Sequence, residues 1–321
     1  MEIKINPQEI YLLERYSSLE YFGELRDVWE KVVKHVELCL QSHLSNLPAK
    51  YRSLPISDQA DIVWGHRILP NFRDALQGLN TGFVQLSHGD ISGLDYAHGP
   101  KNAIIGQRRD YFPDWMSTED QEIYDQLLTQ AAVMAGHITG TSGAYWRPLN
   151  LSNYSNEFEP FEPPAQWPAY RINQAVSVRT GTKTPQSGVY VPDLENSCAQ
   201  FLSTYYKEAP KNYVIVGFKD LLDPRTREKY GEDPILERRD CTWYLVERTA
   251  DSDNARQSNV PEPSQIPRVE GGQPCPKTGF YFTPARADSR GLFKQGDIMP
   301  AFGADYGTTI WQWDEYQLDI S

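Results

Sequence analysis

The chain has 321 residues, of which 40% are hydrophobic and 23% charged, with 8 Trp, 19 Tyr and 12 Phe. Composition of this kind supports a buried core and excludes general disorder, and the length suits two parts. The net charge of -12 falls equally on both halves, with 13 bases against 19 acids up to residue 150 and 18 against 24 after it. That balance argues against nucleic-acid and anionic-membrane binding, which need clustered Lys and Arg, and favours a basic protein partner. No run of apolar residues approaches the ~20 needed to span a membrane, and the first thirty residues lack the pattern of a secretory signal, so a cytoplasmic location is expected. Cys39, Cys198, Cys241 and Cys275 are widely spaced and never form C-x-x-C, the pattern of free thiols rather than of a disulfide or zinc framework.

In chain order, Asn6-Pro7-Gln8-Glu9 opens a helix, with Asn6 as cap, Pro7 at the first position and Glu9 placed to reach back as in a capping box. Leu12, Tyr16 and Leu19 lead to an expected break at Gly23. Leu25, Trp29, Val32, Val36 and Cys39 then recur at helical spacing and predict one long amphipathic helix over 24–46. Pro48 and Pro55 end that unit, Ser57 is the expected cap of the next helix, and Pro70 divides a stretch whose apolar face is Phe72, Leu76, Leu79 and Phe83. The Gly-, Asp- and His-rich segment 87–113 reads as loops. Ser117-Thr118-Glu119-Asp120 caps a last helix carrying Ile123, Leu127, Ala131, Ala135 and Ile138, with Gly140 as its stop. Four to six helices are expected in all.

Pro160, Pro163, Pro164 and Pro168 among Glu157, Phe158, Glu159, Phe161 and Glu162 mark a linker or arm. Beyond it, short β-prone runs such as 213–218 and 242–246 alternate with Pro, Gly and Asp turns. The expected fold is therefore α+β: a helical domain over 1–146, a linker over 147–170, and a mainly β domain over 171–321. Within the β domain, Pro185-Gln186-Ser187-Gly188-Val189-Tyr190 and Pro276-Lys277-Thr278-Gly279-Phe280-Tyr281 both read P-x-[ST]-G-x-Y. With one extra residue allowed, Asn196, Ser197 and Phe201 match Asp288, Ser289 and Phe293, and 242–244 can be set beside 309–311. Three matches in one order point to an internal duplication, with units at about 179–250 and 270–318.

The second copy runs Gly272-Gln273-Pro274-Cys275-Pro276-Lys277-Thr278-Gly279-Phe280-Tyr281, then Gly296-Asp297-Ile298-Met299-Pro300, and ends in Trp311-Gln312-Trp313. It resembles the G-x-P-C-P-x-x-G-x-W, G-x-x-M-P and W-x-W pattern of bacterial polymorphic-toxin immunity proteins of the Imm71 and Imm72 type, with Tyr281 where Trp is common. The resemblance covers about the last 50 residues. It implies an antidote to a secreted toxin, such as an Rhs or type VI secretion effector, that binds the toxin domain and occludes its active site or substrate surface. A cytoplasmic antidote in turn implies a cytoplasmic target, so the toxin domain would be a nuclease or an ADP-ribosyltransferase.

Chemistry is poorly represented by comparison. The chain has no P-loop, zinc-protease helix, nucleophile elbow or dinucleotide fingerprint. Thr141-Ser142-Gly143 reads as a helix-end turn, and His88, Asp90, Asp95 and His98 read as loop residues making turn hydrogen bonds rather than a metal site. Asp251 to Glu262 imitates a calcium loop but has Arg256 where glycine is required. Cys275 faces Thr184 in the other copy, as a packing position would. No catalytic residue, cofactor or metal is expected, the alternatives being an enzyme using a carboxylate pair or the 88–98 loop, or a structural or carbohydrate-binding module. For partner binding, Glu157, Phe158, Glu159, Phe161 and Glu162 combine aromatic anchors with acids and are the favoured docking stretch, while Trp311 and Trp313 read as core.

Overall fold

The computed structural model describes residues 3–152, 163–205, 208–249, 269–283, 289–302 and 309–314. Contacts divide the chain into two compact units, Met1–Thr249 and Ala250–Ser321. The layout is α+β, with helices over the N-terminal half and antiparallel sheets after residue 170.

Helix α1 (Pro7–Tyr16) starts as its sequence dictates, the Asn6 side chain accepting from the Gln8 N–H. Glu9 does not close a capping box; it is buried and accepts from the Ala199 N–H at 3.3 Å, because a sheet backbone group lies within its reach. Helix α2 (Leu19–Ser45) begins at Ser18, whose hydroxyl accepts from Tyr21, and runs through Gly23 without a break. That glycine marks close packing: a Cβ there would sit 3.0 Å from the Phe83 ring. The expected stripe is buried, and Trp29 donates its indole N–H to Phe72 O at 2.9 Å.

Helix α3 (Ala60–Val63) passes through a π-helical turn, Trp64–Ile68, into α4 (Leu69–Ser87). The wide turn accommodates the missing N–H of Pro70, which stands in the first turn of α4. Ser57 does not cap a helix; it lies inside a short 3-10 turn and bonds Asp58. The segment expected as loops is instead a 3-10 stretch, Ile91–Ala97, followed by α5 (His98–Asp110). Its glycine content misled because small residues serve contact here: a Cβ on Gly93 would lie 2.4 Å from the Gly82 carbonyl oxygen.

Helix α6 (Thr118–Ser142) is capped by Ser117, which accepts from the Asp120 N–H and donates to its carboxylate. It continues past Gly140 to Gly143, and its buried stripe uses Tyr124 and Leu128 where Ile123 and Leu127 were expected, leaving Ile123 exposed. The helices share one core with Val189, Val191, Ala199, Phe201 and Val246 from the following sheet. Helix α1 is fastened to that sheet by Glu14, which accepts from Tyr170 at 3.0 Å and from the Arg248 guanidinium.

The first unit's sheet is antiparallel, ordered β1-β6-β2-β3, from β1 (Tyr170–Arg179), β2 (Gly188–Pro192), β3 (Gln200–Leu202) and β6 (Thr242–Arg248). Between β3 and β6 the chain leaves to form a separate two-stranded ribbon, β4 (Asn212–Leu222) and β5 (Lys229–Arg239). The second unit repeats the order as β7-β10-β8-β9, from β7 (Val269–Glu270), β8 (Gly279–Phe282), β9 (Gly291–Phe293) and β10 (Ile310–Trp313). No helix of the described residues is long and apolar enough to cross a membrane, and the four cysteines are free and buried.

The duplication extends to individual hydrogen bonds. Tyr190 donates its hydroxyl to Gln186 O and Tyr281 to Lys277 O, each four residues back. Ser187 Oγ accepts from the Thr204 N–H and Thr278 Oγ1 from the Gln295 N–H, both at 2.9 Å. Trp243 donates to Pro210 O at 2.9 Å and Trp311 to Pro300 O at 2.8 Å. Gly181, with φ of 79°, donates to Ala209 O; Gly272, with φ of 87°, donates to Met299 O. Thus P-x-[ST]-G-x-Y is a closed turn: hydroxyl holding the neighbouring strand's exit, glycine entering the strand, and tyrosine pinning the turn from below.

Register corrects two of the expected matches. Gly188 pairs with Leu202 and Gly279 with Phe293, so Phe293 answers Leu202 and no extra residue is needed. Trp243 pairs with Val178 and Trp311 with Val269, so Trp311 answers Trp243, one place from the alignment of 242–244 with 309–311. Tyrosine and tryptophan can be slid along a short strand in sequence, but strand alternation allows one of the two settings to point inward.

Candidate docking surface

The residue stretch favoured for docking, Glu157, Phe158, Glu159, Phe161 and Glu162, lies outside the described residues, as does the calcium-like segment from Asp251 to Glu262. The other candidates are placed. His88 bonds Val84 O through Nδ1 at 2.8 Å, and Asp90 caps the 3-10 stretch by accepting from Ser92. These are turn and cap contacts, and the 88–98 residues do not converge as ligands. Ser142 is buried at the end of α6, its hydroxyl without a hydrogen-bond partner among the described residues. Cys275 is buried and donates to Lys277 O at 3.1 Å; its counterpart in the sequence of the first copy, Thr184, is buried too. Trp311 is core, while Trp313 is half-buried beside Tyr281.

A cavity of about 540 Å³ lies between residues 3–9 and the β2–β3 connection. Burial shifts two ionisable groups of its lining, Glu9 and Cys198. Burial raises the Glu9 carboxyl above its ordinary range, against the lowering effect of the Ala199 N–H. Burial and the neighbouring Glu9 push the Cys198 thiol far upward, so it holds its proton at neutral pH. Cys39 and Cys241 are likewise pushed up to about 11, chiefly by burial.

The surface with the clearest architecture for binding is the β4–β5 ribbon. Its base is anchored: Asn212 donates to Cys198 O at 2.8 Å, the Ile215 N–H donates to Asn196 O, and Tyr213 lies between the guanidinium groups of Arg147 and Arg238. Val214 is buried there. Beyond Ile215 a bulge at Val216 shifts the register, and the remaining strand pairs extend as a two-stranded ribbon. The loop is ordered by Asp223, whose carboxylate accepts from the Arg225 and Thr226 N–H groups, holding its pKa below the usual range.

Pairing places Ile215 opposite Leu236 and Phe218 opposite Pro234, and a second register shift between Leu221 and Leu222 leaves Tyr230 as the extra residue of a bulge beside the loop. Phe218 is 54% exposed and Tyr230 70%. Val216, Leu222 and Ile235 add further exposed apolar surface on the same ribbon. A lone two-stranded ribbon is marginal in water, and exposed rings beside unpaired strand edges are the usual features of a protein-binding element. Six bases and six acids occupy residues 212–239, so this element is neutral within an acidic chain.

Sequence reading found the strands at 213–218 and 242–246 but not the ribbon's importance. The available signal was length: 40 residues separate Leu202 from Trp243, against 17 between their counterparts Phe293 and Trp311. Once register aligns the two copies, the ribbon stands out as the insertion. Comparison with family models, with curated proteins and with solved structures gives no match for this chain.

Proposed function

We propose that this chain is an immunity-type binding protein: it neutralises a cognate toxin domain in the cytoplasm by stoichiometric occlusion of the toxin's active site or substrate surface, without turnover. The observation that carries this reading is the β4–β5 ribbon, an insertion into one copy of a duplicated scaffold that presents Phe218 and Tyr230 to solvent. Aromatic anchors on a projecting, edge-bearing ribbon suit insertion into a cleft or addition to a partner's sheet. The likeness of residues 272–313 to immunity proteins supplies the class of partner and rests on those residues themselves.

Because the ribbon is charge-balanced, attraction of a basic nuclease or ADP-ribosyltransferase domain falls to the acidic remainder of the chain, including Glu157, Glu159 and Glu162. The test is co-expression with the toxin domain encoded beside this gene, followed by purification of a one-to-one complex. Replacing residues 216–235 by a two-residue turn is expected to abolish both complex and growth rescue, with far-UV circular dichroism unchanged. Rescue without a stable complex would remove occlusion as the mechanism, and an intact complex after excision would move the docking surface away from the ribbon.

A further inference from the structure

Among the described residues, one group of His, Cys and carboxylate side chains converges closely enough to hold a metal ion: His35 and Cys39 of α2 with Asp120 of α6. The two α2 residues are four apart and therefore share a helix face. Asp120 arrives from the first turn of α6, held there by the Ser117 cap. Cys39 Sγ lies 3.5 Å from His35 Nε2, and Asp120 Oδ1 lies 4.0 Å from the same nitrogen. All three donor atoms fall within 4.8 Å of one another.

The sulfur–nitrogen separation is the one that tetrahedral coordination asks for. Zinc bonds of about 2.3 Å to sulfur and 2.0 Å to nitrogen, at a tetrahedral angle, put the two donors about 3.5 Å apart. The nitrogen–oxygen pair, at 4.0 Å against the roughly 3.3 Å of a tetrahedral site, must contract by about 0.7 Å. Supporting contacts are also in place: Ser117 Oγ donates to Asp120 Oδ2 at 2.6 Å, while Oδ1 lies toward His35. Cys39 is buried and His35 nearly so, whereas Asp120 is about two-fifths exposed, which gives an entry path and an open fourth position.

The geometry points to a zinc-class divalent metal site formed by His35, Cys39 and Asp120, joining the middle of α2 to the start of α6, with water or a donor from a bound partner as fourth ligand. One sulfur, one nitrogen and one oxygen suit zinc and cobalt, and give magnesium or calcium too few oxygens. The His35 Nε2 also donates to the Asp120 backbone oxygen at 2.9 Å, a contact that coordination would replace. Binding would release the Cys39 proton, leave the His35 proton on Nδ1 so that Nε2 can ligate, and draw the Asp120 side chain inward by rotation.

The full-length chain, stripped with chelator and kept reduced, should be titrated with Co2+ as the spectroscopic probe. Expected are one equivalent bound, a thiolate-to-cobalt charge-transfer band with tetrahedral visible absorption, and bleaching of both by stoichiometric Zn2+. Cys39→Ser should remove the charge-transfer band, while Cys198→Ser should leave it intact. Asp120→Asn, at a partly exposed position that keeps the cap, should weaken cobalt affinity at least tenfold with unchanged metal-free melting. Absence of the band, or its survival in both Cys39→Ser and Asp120→Asn, would overturn the site.

Discussion

The two β units share strand order, turn, tyrosine pin and tryptophan anchor, yet they use their sheets differently. In the first, one face closes over Val178, Tyr190, Leu202, Ala209, Trp243 and Leu245, while the other gives Val189, Val191 and Phe201 to the helical core. In the second, the closed face is built from larger side chains: Phe293, Met299 and Trp313 stand where Leu202, Ala209 and Leu245 stand in the first. On the opposite face, Phe201 is 5% exposed but its counterpart Leu292 is 49% exposed. A small sheet must bury enough apolar surface to be stable, and the two copies do so by different means. The first leans on helices and carries an inserted ribbon; the second fills a compact core of aromatic rings.

The sharpest way to break that comparison is at the tryptophans. Trp243→Ala and Trp311→Ala each remove a fully enclosed ring and its indole hydrogen bond, and each should cost about 3–5 kcal/mol. Calorimetry should show the two losses in separate transitions if the units unfold independently. Equal loss in a single transition would mean that the duplicated sheets melt as one body.

A milder and more symmetrical probe is the tyrosine pin. Tyr190→Phe and Tyr281→Phe keep the packing and delete only the bond to the carbonyl four residues back, so each should lower stability by about 1 kcal/mol in urea titrations. If only one variant has an effect, the motif has kept its form in both copies but its structural role in one.

The smallest effect concerns the helices' hold on the first sheet. Glu9 is buried with a pKa raised by desolvation, so its contribution is fully present below the ordinary carboxyl value and is lost as pH rises through the raised folded value. Glu9→Gln keeps an oxygen for the Ala199 N–H and should match the parent at pH 4. At pH 7.5 it should melt roughly 1–2 °C higher. A variant that matches the parent at pH 4 but melts lower at pH 7.5 would show that the charged form is favoured, through the Ala199 bond.

The ends and periods of several elements were legible in the chain. The Asn6 and Ser117 caps, the stripe from Leu25 to Cys39 and the repeated P-x-[ST]-G-x-Y turn are local patterns, and each local contact that defines them spans only a few residues. Where reading failed, the deciding contact was distant. Gly23 was taken as a break and 87–113 as loops because glycine discourages helix locally, whereas the closeness of Phe83 to the one and of Gly82 to Gly93 is a tertiary fact. The candidate sites followed the same division.

By itself, then, the sequence determined an α+β chain with a duplicated β scaffold and no recognisable catalytic motif, since periodicity and turn chemistry act over short range. Tertiary structure alone decided which tryptophan answers which, through strand pairing. It alone showed that residues 212–239 form a ribbon anchored at its base, and that Cys39 of the apolar stripe, its neighbour His35 and Asp120 of a helix cap meet at one point. Those juxtapositions depend on how whole elements pack, and side chains 81 positions apart, such as Cys39 and Asp120, leave no local pattern from which their meeting could be read.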